Sequence, residues 1–267
     1  MKVALSAALI LLYTASSASA DCRIHDKSCH KFGNKIEKSK KFGKKKRQHR
    51  RHHHSRQWQS TSGPGFPAEI ILHPVRQYLR EEDIPPLGVG AYGVVALKSK
   101  PTDANRNKLM MVCKSYLAHF DKAEFSPHPR SDQMVTVWPL NHPESPIAES
   151  DDCSWILGDY ALGAASTAMA FATKQHMTFE GEGPFLLGWS PASSRFEPDE
   201  LVLMVDMSAS NNQASIDHDF DFWKDEIVRD PATWRHGFSL ERIRQKIKDF
   251  VDLYGADFVE DIKMVGL

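Results

Sequence analysis

Beyond its first twenty residues, the 267-residue chain lacks any apolar run long enough to cross about 30 Å of hydrocarbon. The nearest candidate, Ala161 to Ala172, is too short and too rich in Gly, Ser and Thr. That excludes an integral membrane helix in the mature chain. No Asn-x-Ser/Thr sequon occurs, so N-linked glycosylation has no acceptor. No internal repeat is visible, which argues against a solenoid or propeller. Only four cysteines are present, too few for a fold built on disulfides. Net charge is also missing: 34 basic side chains balance 34 acidic ones.

That balance conceals a split. Residues 22–56 carry nine Lys and five Arg against Asp26 and Glu37, a net of +12 with His neutral. Residues 57–267 carry 19 basic and 31 acidic side chains, a net of −12. Charge asymmetry between segments tells more about partners than the overall isoelectric point does.

The first twenty residues read as a cleavable secretory signal. Lys2 is a minimal basic start, Val3 to Ala15 an apolar core, and Ala18-Ser19-Ala20 a small-x-small cleavage site. The expected location is secreted or periplasmic. Export permits disulfides. Of the three possible pairings, Cys22–Cys29 within the arm and Cys113–Cys153 within the body each close a loop inside one compositional unit. The competing expectation for Cys113, in the run Leu109 to Cys113, is a buried free thiol.

Residues 21–66 read as a disordered arm and linker. Lys38 to Arg56 is nearly all Lys, Arg and His, with too little apolar surface to fold, and the Gly/Ser/Pro-rich segment 57–66 is a linker. Residues 67–267 form the folded body, long enough for one well-packed domain. Strands are expected at 68–72, 89–98, 133–140, 184–189 and 200–207. Helices are expected at 103–120, 160–175, 220–228, 239–254 and 257–264. Interleaved strands and helices indicate a single α/β or α+β domain, a mixed sheet with packed helices.

Several motifs carry partial chemistry. Gly88-Val89-Gly90-Ala91-Tyr92-Gly93 matches GxGxxG, but a strand follows where a dinucleotide site needs a helix. The order resembles a kinase glycine-rich loop, without a catalytic loop or DFG to complete it. Gly188-Trp189-Ser190-Pro191-Ala192 resembles a nucleophile elbow, yet Pro191 has no N–H to offer an oxyanion. Asp206-Met207-Ser208-Ala209-Ser210, at the end of an expected strand, resembles the DxSxS metal-adhesion motif of von Willebrand A domains. That resemblance implies Asp206, Ser208 and Ser210 as oxygen ligands for Mg²⁺. It spans about ten residues, and only 57 residues follow Ser210 to supply the rest of such a fold. The alternative is an ordinary strand end with a Ser/Asn-rich loop. Asp217, Asp219 and Asp221 read as the acidic first turn of a helix. The body's histidines show no ligand spacing, and Trp138, Tyr160 and Trp189 are candidates for lining a small-ligand pocket.

The basic arm offers three readings: polyanion binding, weak metal binding by its histidines and cysteines, or a solvated tail that folds back on an acidic body. The sequence favours the first, with Lys44, Lys45, Lys46, Arg47, Arg50 and Arg51 as the contacts. The expected partner is an anionic polysaccharide or lipid surface, and export removes intracellular nucleic acid as the default. The expected protein is non-enzymatic, with no cofactor indicated. The alternative is an exported hydrolase, or a metal- or small-ligand-binding domain with its site near Asp206.

Overall fold

The computed structural model describes residues 72–254 and 262–265. The expected signal segment, the expected arm and linker at residues 21–66, Cys22, Cys29 and all but Leu72 of the first expected strand lie outside the described residues.

One seven-stranded mixed sheet organises the described residues, in the order β3-β1-β4-β2-β5-β6-β7. The strands are β1 (Val75–Leu79), β2 (Ala91–Ala96), β3 (Asp121–Lys122), β4 (Met134–Pro139), β5 (Phe185–Trp189), β6 (Val202–Asp206) and β7 (Ile262–Val265). β3, β1, β4 and β2 are mutually parallel, and β5, β6 and β7 add antiparallel to their neighbours. Two reversals in succession make β6 run in the same direction as β2. The carboxyl ends of β1, β2, β4 and β6 therefore share one edge of the sheet.

The helices are α1 (Arg106–His119), α2 (Pro146–Glu149), α3 (Cys153–Gly158), α4 (Leu162–Lys174), α5 (Gln213–Asp221) and α6 (Leu240–Tyr254); α5 continues as π-helical turns through Phe222–Val228. Expected and observed elements agree closely for β2, β4, β5, β6, α1, α4 and α6.

Three differences from the expected elements stand out. β1 was not expected: Val75-Arg76-Gln77-Tyr78-Leu79 looks too polar for an inner strand, but Arg76 is buried through its own ion pair with Asp151. The chain expected to be helical at 257–264 instead holds β7, whose Ile262, Lys263, Met264 and Val265 pair with Val205 back to Val202. The helix expected from Phe220 begins seven residues earlier. Asn212 caps it by accepting from Ser215 N–H at 3.0 Å, so Asp217, Asp219 and Asp221 lie in its second half. α6 buries Ile243 and Phe250, and Tyr254 at its end is half exposed.

Two glycines set the thickness of the core. Thr136, Gly93 and Gly188 stand side by side on β4, β2 and β5. With no side chain at Gly93 or Gly188, the indole of Trp223 packs against both and donates Nε1–H to Thr136 Oγ1 at 3.1 Å. On the opposite face Tyr92 and Trp189 are register partners, stacked at 5.3 Å, and Trp189 donates to Gln175 Oε1 at 2.8 Å just beyond α4. α1, α3 and α5 thus cover one face and α4 the other. The Cys113–Cys153 disulfide ties α1 to the start of α3. Closing a loop of 40 residues this way contributes about 4 kcal/mol through the unfolded chain.

Candidate functional site at the carboxyl edge of the sheet

In open α/β sheets, ligands gather beyond the carboxyl ends of the strands. Two strand ends on this edge carry chemistry, and they are built differently.

The first is the end of β6. The Asp206 side chain is only 8 % exposed. Its Oδ1 accepts from the Ser208 backbone N–H at 2.9 Å and from the Ser208 hydroxyl, a tight Asx turn. Its Oδ2 faces Lys263 Nζ at 3.2 Å. The Ser208 hydroxyl also accepts from Gly183 N–H at 2.8 Å, and Lys108 Nζ donates to the Ser208 carbonyl at 2.7 Å. Ser210 turns elsewhere: its hydroxyl donates to Asp219 Oδ2 at 2.6 Å. The structure therefore brings Asp206 and Ser208 together and sends Ser210 to α5. Among the described residues, no group of three or more His, Cys, Asp or Glu side chains is placed to hold a metal ion. A cleft of about 370 Å³ opens beside this end, lined by Lys98, Thr102, Asn105, Lys108, Glu182 and Gly183. Lys98 Nζ is committed to the carbonyls of Phe179 and Gly181 at 3.1 and 2.5 Å.

The second is the shared end of β1 and β4, where a cleft of about 430 Å³ is lined by Arg80, Glu81, Glu82, Asn141, His142 and Gly163, among others. His142 Nδ1 lies 2.7 Å from Asp159 Oδ1, and the His142 backbone N–H donates to Asp159 Oδ2 at 2.8 Å. Asp159 is 13 % exposed and the imidazole 68 %. Asn141 Nδ2 donates to the carbonyls of Asp159 and Tyr160 at 2.7 and 3.3 Å, which holds the loop onto the end of α3. Arg80 is engaged by Glu144. On the far wall, Thr167 donates to Glu81 Oε1 at 2.8 Å, and Gly163 leaves room for the Glu81 carboxylate against the first turn of α4.

A third cluster flanks β1. Arg76, 7 % exposed, makes a bidentate pair with Asp151 at 3.0 and 2.8 Å, and its Nε donates to the Phe120 carbonyl at 2.8 Å. The Tyr78 hydroxyl donates to Asp151 Oδ1 at 3.1 Å. Burial pushes the Tyr78 phenol well above its ordinary range; Arg76 opposes this and Asp151 adds to it. Asp151 itself has φ +57, a conformation that Asp tolerates better than most residues. All of Arg76's guanidinium nitrogens are used internally, so the cluster reads as structural.

The remaining motifs resolve into structure. Gly88 turns at φ +73 and leads directly into β2. Ser190 is buried and donates to the Trp234 carbonyl, so it is not presented as a nucleophile. Trp138, Tyr160 and Trp189 are fully buried core residues, with Trp138 edge-on to Tyr160 at 5.9 Å. Lys44, Lys45, Lys46, Arg47, Arg50 and Arg51 lie outside the described residues. His142 and Asp159 escaped the sequence reading because 17 positions separate them. The available signal was position alone, since Asn141-His142-Pro143 directly follows an expected strand. No helix among the described residues is long and apolar enough to cross a membrane. Comparison with family models, curated proteins and solved structures finds no match for this chain.

Proposed function

We propose that the protein is exported and held to an anionic polysaccharide or lipid surface by residues 22–56, with the body carried as an acidic domain. The observation that carries this reading is the split of +12 against −12. Lys44, Lys45, Lys46, Arg47, Arg50 and Arg51 would supply the contacts by counterion release, which needs charge density and no fixed fold. The body's own cations support the division of labour. Arg76, Lys224, Arg229, Lys246 and Lys263 are each within 3.2 Å of a body carboxylate. They are committed internally, and the surplus on the body is negative. The anchoring role requires no catalysis and no cofactor.

The experiment is retention of the mature chain on dextran sulfate and on phosphatidylglycerol vesicles, with and without residues 22–56. Loss of retention on deletion is expected. Equal retention of the deleted chain refutes the reading.

A second reading places small-ligand binding or hydrolysis near Asp206. The cleft of about 370 Å³ beside that strand end favours it. Thermal shift against a ligand library, repeated with Asp206→Ala, checks it: a bound ligand raises the melting temperature by mass action, and the substitution should remove that rise.

A further inference from the structure

We infer that the cleft beyond β1 and β4 is an acid–base site for hydrolysing small uncharged acyl esters, with His142 as its catalytic residue and Asp159 as the positioning residue. This is independent of the arm and adds an activity to the body.

The geometry carries it. Asp159 grips both the ring Nδ1 and the backbone N–H of His142. Holding Nδ1 as the protonated nitrogen leaves Nε2 as the free base, the tautomer that general-base catalysis needs. Nε2 has no hydrogen-bond partner among the described residues, and the ring borders the open cleft. Fastening this loop would not require an imidazole, because the backbone bond to Asp159 and the two Asn141 bonds already do so. Asp159 is itself fixed, as the residue closing α3, with its N–H on the Trp155 carbonyl at 2.9 Å.

The opposite wall is the start of α4. Ala161 and Gly163 line the cleft, and no side chain caps this thirteen-residue helix. There the Leu162 and Ala165 N–H groups bond to the carbonyls of Tyr160 and Ala161, and the Glu81 carboxylate lies against Gly163, so this wall carries negative charge. The charged groups around the ring are Asp159, Glu144, Arg80, Glu81 and Glu82. Arg80 is occupied by Glu144, so the rim is net acidic and repels an anionic substrate. An uncharged ester meets no such barrier.

In the step, His142 Nε2 takes a proton from water as the water oxygen bonds to the acyl carbon. The carbonyl π pair moves onto oxygen. When that pair returns, the ester C–O bond breaks, and the imidazolium gives its proton to the departing alkoxide. The products are a carboxylic acid and an alcohol.

The test uses the full chain and p-nitrophenyl acetate. His142→Gln should lower kcat/KM by about 10²-fold or more, the usual worth of a positioned general base. Asp159→Asn should lower it as well and displace the pH–rate profile, which a purely structural role would not do. His236→Gln, at an exposed imidazole elsewhere, should leave the rate unchanged. The anionic p-nitrophenyl hemisuccinate should react more slowly than the acetate. Melting temperatures of the variants establish that each is folded. A folded His142→Gln protein with the wild-type rate overturns the proposal, as does an equal loss in His236→Gln, which would indicate ordinary surface imidazole reactivity.

Discussion

The arm and the body hold charges of equal size and opposite sign, but they hold them differently. Residues 22–56 have fourteen cations and two carboxylates, so at most two of those cations can be matched in charge within the segment. In the body, several cations are placed against particular carboxylates. Arg76 is gripped by Asp151, Lys224 sits between Asp221 and Asp225, and Lys246 between Glu226 and Asp230. Both charged lysines therefore gain affinity for their protons from these neighbours, although burial opposes it. The difference teaches what each charge set can do. Paired charges specify a fold, while unpaired ones act at a distance and respond to salt.

Removing charge from each region should give effects that follow this order. Replacing Lys44, Lys45, Lys46, Arg47, Arg50 and Arg51 together by Gln should give the largest. On a polymer with the charge density of DNA, six contacts account for roughly a 10³-fold change in affinity between 50 and 200 mM salt. A salt titration of binding checks that loss, and the melting temperature of the body should not move.

Within the body, Asp151→Asn keeps a residue that tolerates the left-handed backbone but leaves Arg76 buried without its counter-charge. A loss of about 3 kcal/mol is expected, the low end for a broken buried pair because Asp151 is partly exposed; urea unfolding measures it. Asp206→Asn should cost less, about 1–2 kcal/mol, since Lys263 is 32 % exposed and can turn to water. Glu144→Gln, in the exposed pair with Arg80, should leave the melting temperature unchanged. If Glu144→Gln destabilises as much as Asp151→Asn, burial is not what separates the body's pairs.

A further substitution probes the uncharged core for contrast. Gly93→Ala places a methyl against the Trp223 indole, and a loss of about 1–3 kcal/mol is expected from overpacking, again by urea unfolding.

Much of the body could be read from the chain because apolar periodicity and burial coincide there. β2, β4, β5 and β6 are apolar runs in fully buried positions. The Cys113–Cys153 bond followed from keeping each pairing within one compositional unit. β1 could not be read, since its Arg76 is buried only by virtue of Asp151, 75 residues away. β7 could not either: the segment around Lys263 has helical spacing, and only pairing with β6 makes it a strand. The same limit applies to sites. Asp206-x-Ser208-x-Ser210 was conspicuous in sequence, yet Ser210 belongs to Asp219. The pair His142–Asp159 is invisible until the loop after β4 meets the end of α3. Short motifs record local order, whereas these sites are made by non-local contacts.

The most direct measurement compares the salt dependence of binding to dextran sulfate for the mature chain and for residues 57–267. A steep fall in affinity with salt for the mature chain, and no salt-sensitive binding for 57–267, is the predicted result. Parallel salt slopes for the two would contradict the assignment of binding to the arm.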